Sequence, residues 1–121
     1  MSFSFVIGLS LILTHELDAM TAREWRIFPL LSRLSDENGR WLFVALHVPL
    51  FAWILWGLTG PEQASWRVGF DVCLIAHAFA HLLLHRHPDN GFRRPLSWVL
   101  IGGAAAAGAL DLWLGALQEV V

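Results

Sequence analysis

The apolar positions of the chain fall into four long runs that short polar segments separate. The runs cover about residues 2–18, 41–58, 66–85 and 96–117. A helix needs about 20 mostly apolar residues to cross a bilayer, and each run is close to that length. The charged residues inside the runs lie toward run ends, where a charge costs least. The pattern therefore predicts an all-α integral membrane protein, an antiparallel four-helix bundle that forms one transmembrane domain over residues 1–121.

The connection between the first two runs has a pattern of its own. Over about residues 19–35, apolar side chains recur at three-residue steps, with arginines between them: Trp25, Phe28, Leu31 and Leu34. Such a stripe is typical of a short amphipathic helix that lies in the membrane interface. Pro29 is expected to bend or interrupt it, because proline lacks the backbone N–H of a helix interior.

Composition supports a membrane location and excludes several other classes. Apolar residues make up 56 % of the 121 residues and charged residues 15 %, with a net charge of −2. An ordinary soluble domain carries about 25 % charged residues. A soluble chain of this size could not bury so much apolar surface. The expected partners are therefore membrane lipids, and nucleic acid is excluded because no basic surface is available for it.

The arginines predict the orientation of the bundle. The chain has eight basic residues, all of them arginine, and seven lie in or beside the first and third connections. Only Arg67 lies toward the other side. By the positive-inside rule, the two arginine-bearing connections face the cytoplasm. We therefore expect a multi-pass protein of the bacterial inner (cytoplasmic) membrane with both termini outside the cytoplasm.

Ionisable side chains occur at a common depth in three of the four predicted spans. They are His15, Glu16 and Asp18 near the end of the first span, His47 near the start of the second, and His77 and His81 near the end of the third. Because alternate spans run in opposite directions, these positions all lie in the cytoplasmic third of the bilayer. Ionisable residues inside a membrane almost always face the bundle interior and mark functional sites.

The spacing of these side chains favours a metal site. His77 and His81 are four residues apart and share a helix face, as do His15 and Asp18 at three residues. Imidazole with carboxylate suits a divalent transition metal, with zinc or iron expected first. The predicted ligands are His15, Asp18, His47, His77 and His81. Glu16 points about 100° away from His15 around the helix and is the predicted general base.

This arrangement leaves three functions open. The first is a metal-dependent hydrolase or oxidoreductase that acts on a lipid or small amphiphile. The second is a haem-binding subunit, with His47 and either His77 or His81 as axial ligands. The third is a non-enzymatic accessory or assembly subunit whose histidines are interhelical hydrogen-bond clamps. A zincin motif is absent, because the second histidine of HExxH would fall on Ala19.

Other residues leave alternatives open too. Glu24 and Arg26 either reach the histidines or pair with each other near water. Asp71 is expected to pair with Arg67 or to join a three-way cluster with Asp111 at the opposite end of the bundle. The glycines and alanines of residues 102–108 predict close helix packing, within the bundle or in a homo-oligomer or larger membrane complex.

The run LTHELDAMTAREWRIFPLLSRL, followed by an isolated histidine in the second span and HAFAHLLLH in the third, resembles a family of small bacterial integral membrane proteins of unknown function. Its most specific parts are HELDA at residues 15–19 and EWRIFPLL at residues 24–31. The resemblance implies four spans. It draws attention to the same His15, Glu16 and Asp18, and to Glu24, Trp25 and Arg26. It implies no reaction and no ligand.

Overall fold

The computed structural model describes residues 1–120, and the side chains of residues 1–118. Four α-helices follow one another: α1 (Phe3–Ala22), α2 (Asp36–Thr59), α3 (Gln63–Leu84) and α4 (Pro95–Val120). No strand is present in residues 1–120. Each helix is long and apolar enough to cross a membrane, α4 over Pro95–Gln118. The prediction of an all-α bundle with four potential spans is confirmed.

Serine side chains cap the starts of α1 and α2, and α2 begins earlier than its apolar run. The Ser2 hydroxyl accepts a hydrogen bond from the Phe5 N–H at 3.2 Å, and the Ser35 hydroxyl accepts one from the Asn38 N–H at 3.3 Å. Such capping satisfies N–H groups that a helix start leaves without a partner. Acidic Asp36 also suits the positive end of the α2 dipole. Polar residues therefore extend α2 beyond the predicted run.

The segment between α1 and α2 is helical only in two single 3₁₀ turns, Glu24–Arg26 and Leu31–Arg33. A continuous interfacial helix does not form, because α1 extends to Ala22 and Arg23 then takes a left-handed conformation with φ 55° and ψ 48°. Trp25 and Leu31 of the predicted stripe are buried, and Phe28 stays half-exposed. The segment thus covers one end of the bundle with its apolar side.

Helix α4 is the centre of the packing. It contacts α1 and α3 extensively, whereas α2 packs more lightly, on α3 and on the two 3₁₀ turns. Small side chains allow the close contacts: Gly8 of α1 lies against Ala104 and Ala107, and Gly108 lies against the Asp71 backbone of α3. The Gly/Ala run therefore packs inside the bundle through these residues, while Gly102 faces open space.

Polar residues join helices at the end where α1 and α3 begin. The Arg67 guanidinium contacts Asp111 Oδ2 at 2.9 Å and donates to the Ser2 hydroxyl at 3.1 Å. The Ser4 hydroxyl donates to Asp111 Oδ1 at 2.6 Å. Asp71 is buried beside them. Of the two arrangements expected from the sequence, the three-way cluster is the one that forms: Arg67 contacts Asp111, and Asp111 is hydrogen-bonded to Asp71.

At the other end, which we call the arginine-rich end, the two connections pack against each other. Gly91 lies so close to the Ala22 backbone that a Cβ at this position would overlap the Ala22 carbonyl. Buried Asn90 donates to the Leu84 carbonyl at 3.2 Å and accepts from the Phe92 N–H at 2.9 Å. These contacts turn the Phe92 ring into the bundle, where it is 2 % exposed.

Candidate metal centre

Three histidines from two helices meet inside the arginine-rich end. They are His15 of α1 and His77 and His81 of α3, and one ring nitrogen of each lies within 4.8 Å of the others. The four-residue spacing places His77 and His81 on one face of α3. The ring centroid of His15 lies 5.0 Å from that of His77 and 5.1 Å from that of His81. The cluster could hold a metal ion.

Two of the three histidines are buried, and several ring nitrogens of the cluster lack hydrogen bonds to the described residues. His15 is fully buried and His81 is 5 % exposed, and the Phe92 ring packs against both. Among the described side chains and backbone, neither ring nitrogen of His15 has a hydrogen-bond partner, nor does His77 Nε2. An unsatisfied buried polar group costs about 1–3 kcal/mol. A cation between the rings would give one nitrogen of each ring a partner.

A carboxylate that the sequence did not assign lies beside this cluster. Glu24 Oε1 lies 3.3 Å from His81 Nε2, and Glu24 Oε2 lies 4.0 Å from His15 Nε2. Burial alone raises the pKa of the Glu24 carboxyl, but the hydrogen bond and charge of His81, with the charge of His15, outweigh it and bring the pKa below its ordinary value. Glu24 is therefore ionised beside three imidazoles.

The backbone that ends α1 carries Glu24 to the histidines. Arg23 adopts the left-handed conformation, which ends a helix because the Arg23 N–H can then donate hydrogen bonds to carbonyls in the last turn of α1. The first 3₁₀ turn follows at once and buries Glu24 under the bundle end. Arg26 points elsewhere, to Asp36, with 2.8 Å between Nη2 and Oδ1. The two alternatives left open for Glu24 and Arg26 are thus resolved: Glu24 reaches the histidines, and Arg26 does not pair with it.

His47 and Glu16 form a separate pair. His47 Nε2 lies 2.8 Å from Glu16 Oε2, and His47 Nδ1 lies 2.7 Å from the Phe43 carbonyl. The Phe43 carbonyl can only accept, so His47 donates from Nδ1, and one further proton is shared between Nε2 and the Glu16 carboxyl. Both ring nitrogens of His47 are engaged, and the structure places it outside the three-histidine cluster. The reason is that α2 packs at the periphery and faces Glu16.

Asp18, the carboxylate ligand expected from the sequence, is also placed apart from the three histidines. It lines a small cavity of about 80 Å³ together with Gly91, Arg94 and Ser97, at the start of α4. The three-residue spacing from His15 keeps the two side chains near one face of α1. Asp18 lies one turn closer to the helix end, however, where α4 rather than α3 is the neighbour.

An open cavity joins the cluster to the Glu16–His47 pair. Its volume is about 560 Å³, and Glu16, Glu24, His47 and His77 line it. The rest of the lining is apolar and comes from the segment after α1 and from α2: Phe28, Pro29, Leu30, Leu31, Leu42, Phe43, Leu46 and Leu50. A second cavity of about 250 Å³ shares Glu16, Leu50 and His77 with the first. Half-buried His77 is therefore the member of the cluster that both cavities reach.

Comparison with known sequences identifies a family. Residues 1–118 match the model of the Family of unknown function (DUF6713). Searches of curated proteins and of solved structures give no match.

Proposed function

The chain belongs to this family of unknown function, and we propose that it is a membrane protein that binds one divalent transition-metal ion. The proposed ligands are His15, His77, His81 and Glu24. Glu24 takes the role that the sequence suggested for Asp18. His47 acts through Glu16 rather than on the metal.

The observation that carries this proposal is the meeting of three imidazoles beside the Glu24 carboxylate, with both nitrogens of buried His15 and Nε2 of His77 lacking hydrogen-bond partners among the described residues. The Zn–N distance of about 2.0–2.1 Å places tetrahedral ligand atoms about 3.3 Å apart. The ring nitrogens lie within 4.8 Å of one another, so small side-chain rotations bring them to that spacing. Imidazole and carboxylate together favour zinc or iron among the common ions.

The geometry gives less support to the other two functions. Haem needs a wide slot between two axial histidines. The rings of His15, His77 and His81 contact one another edge to face or tilted, and both nitrogens of His47 are engaged. A hydrogen-bond clamp would satisfy the ring nitrogens, whereas His15 has no partner among the described residues. A single ion therefore fits this cluster best.

The neighbouring groups favour hydrolytic chemistry. A bound divalent ion would act as a Lewis acid at the cavity wall. Glu16 and His47 hold one proton between them beside the same cavity, so Glu16 can accept a proton and His47 can orient it. We therefore assign Glu16 the role of general base in a metal-dependent hydrolase.

The test is elemental analysis of the purified protein together with an absorption spectrum. We expect about one equivalent of zinc, iron or a similar ion in the native protein and no Soret band. His15→Ala and Glu24→Gln should lose most of the metal. His85→Ala is the matched control, because His85 is exposed, lies just past the end of α3 and is hydrogen-bonded to the Leu82 carbonyl.

Thermal unfolding distinguishes a variant that is folded but lacks metal from a variant that does not fold. A ligand that binds the folded state raises its melting temperature. Added metal should therefore raise the melting temperature of the native protein and of His85→Ala, but not that of His15→Ala. A native protein without metal, or full metal content in His15→Ala, would contradict the proposal.

A further inference from the structure

From the two connected cavities we infer that the substrate is a neutral, single-chain lipid ester that reaches the metal centre sideways from the bilayer. The inference rests on the proposed function, since it places the ester group beside His77 and Glu16. It adds the substrate class and its route, which the metal cluster alone does not define.

The route follows from how α2 is packed. Helix α2 packs lightly on α3 and on the 3₁₀ turns, and the larger cavity lies between α2 and the segment after α1. Several side chains that line this cavity are not covered by other parts of the protein: Leu30 is 77 % exposed and Leu46 is 50 % exposed. In a membrane these apolar side chains face lipid tails, so the cavity opens to the acyl-chain region.

The size and lining of the space suit an apolar chain. The larger cavity, at about 560 Å³, falls within the range of about 300–1,000 Å³ that is usual for small-molecule sites. The smaller one continues from Glu16, Leu50 and His77 between α1, α2 and α3, lined by Ile12, Phe51, Phe70 and Leu74 among others. A chain can therefore extend to either side of a polar group held at Glu16 and His77.

Charge decides which headgroup fits. Of the side chains that the structure describes, no arginine lines either cavity, whereas Glu16 and Glu24 do. Recognition of phosphate normally uses arginine or lysine. The Glu16–His47 pair shares one proton and is neutral overall, so Glu24 is the net negative charge on the cavity wall. Within the described residues, neither cavity offers an anionic headgroup a guanidinium to pair with. A neutral ester is the headgroup chemistry that this wall accepts.

The reaction requires only water besides the ester. A water oxygen bonds to the ester carbonyl carbon, and the bond from that carbon to the alcohol oxygen breaks. Glu16 takes one proton from the water, and the Glu16–His47 pair returns a proton to the leaving alcohol oxygen. The products are one carboxylic acid and one alcohol, and no electrons are gained or lost.

The test uses photo-crosslinking in lipid nanodiscs. A monoacylglycerol and a lysophosphatidate that carry the same diazirine-labelled chain are the two probes. The neutral probe should label residues 28–50 in a saturable way. The anionic probe should label them at least about tenfold less, because neither cavity has an arginine among its described lining residues to pair with the phosphate.

Two tryptophan variants locate the site. Leu46→Trp fills the cavity and should reduce labelling by the neutral probe at least about tenfold, since overpacking removes the space. Leu55→Trp is the matched control, because Leu55 lies on the same helix, is exposed and lines neither cavity.

Metal content is measured on the same samples, so that the two proposals fail differently. About one equivalent of metal with equal labelling by both probes, or with Leu46→Trp labelled like the native protein, overturns the substrate assignment and leaves the metal site standing. Absence of metal from the native protein overturns the proposed function and the inference with it.

Discussion

Glu16 illustrates how one residue acquires a role from its neighbour rather than from the helix that carries it. Its carboxyl is held by His47 from α2 and lines both cavities. It is not one of the three residues whose ligand atoms meet in the histidine cluster, and it contacts His47 instead. Its expected role is therefore in the reaction and not in holding the ion.

Replacing Glu16 separates these two roles. We predict that Glu16→Gln keeps the native metal content but lowers hydrolysis of a monoacylglycerol about 10²–10⁴-fold, the usual contribution of a general base. Product release is measured by mass spectrometry beside elemental analysis. Glu37→Gln, at an exposed position, is the control. Loss of metal from Glu16→Gln would instead make Glu16 a ligand.

Arg23 is a second residue whose backbone matters more than its side chain. Its φ of 55° is left-handed, which costs a non-glycine residue about 1–2 kcal/mol. Its guanidinium is exposed and 3.8 Å from Asp36, and such a surface pair contributes little.

Arg23→Gly should therefore leave the melting temperature unchanged or raise it, with a gain of up to about 1 kcal/mol. Arg33→Gly is the comparison, because Arg33 lies in the second 3₁₀ turn. It should destabilise the protein slightly, since glycine loses more freedom on folding. Both are measured by thermal unfolding in detergent. A marked loss of stability in Arg23→Gly alone would contradict this account of the turn.

At the scale of elements, the two connections at the arginine-rich end act as one lid over the histidines. The first carries Glu24 and the second carries Phe92, and Gly91 and the Ala22 backbone are in close contact where they meet. Position 91 thus requires glycine because of packing, as its φ is not in the left-handed region.

Gly91→Ala should force the two connections apart and destabilise the protein by about 1–3 kcal/mol, the usual cost of overpacking. It should also reduce metal content by displacing Glu24. Gly102→Ala is the matched control: nothing lies within 4 Å of its added Cβ, and a helix gains about 0.5–1 kcal/mol from the exchange. Thermal unfolding and elemental analysis check both. Equal stability of the two variants would contradict the close contact.

At the scale of the whole molecule, charge is distributed unequally between the two ends. Seven of the eight arginines belong to the arginine-rich end or its connections, and Arg67 is bound to Asp111 at the other. By the positive-inside rule, we expect the three-histidine cluster to lie near the cytoplasmic surface.

Cysteine labelling in intact cells tests this orientation. In a Cys73→Ala background, an impermeant maleimide should label Glu62→Cys and not Asp89→Cys, because these exposed positions lie in connections at opposite ends. Labelling of both positions after permeabilisation is the control for reactivity. The reverse pattern in intact cells would place the metal centre at the outer surface.

The sequence alone determined the four helices and the depth at which their polar residues meet. Hydrophobic run length sets helix length, and the four-residue spacing sets the shared face of His77 and His81. Periodicity does not specify which helix a face meets. The tertiary structure therefore decided that His47 contacts Glu16 and that Asp18 faces α4. It also decided that a left-handed turn at Arg23 brings Glu24 to the histidines, because such a turn depends on the backbone and packing of two connections far apart in sequence.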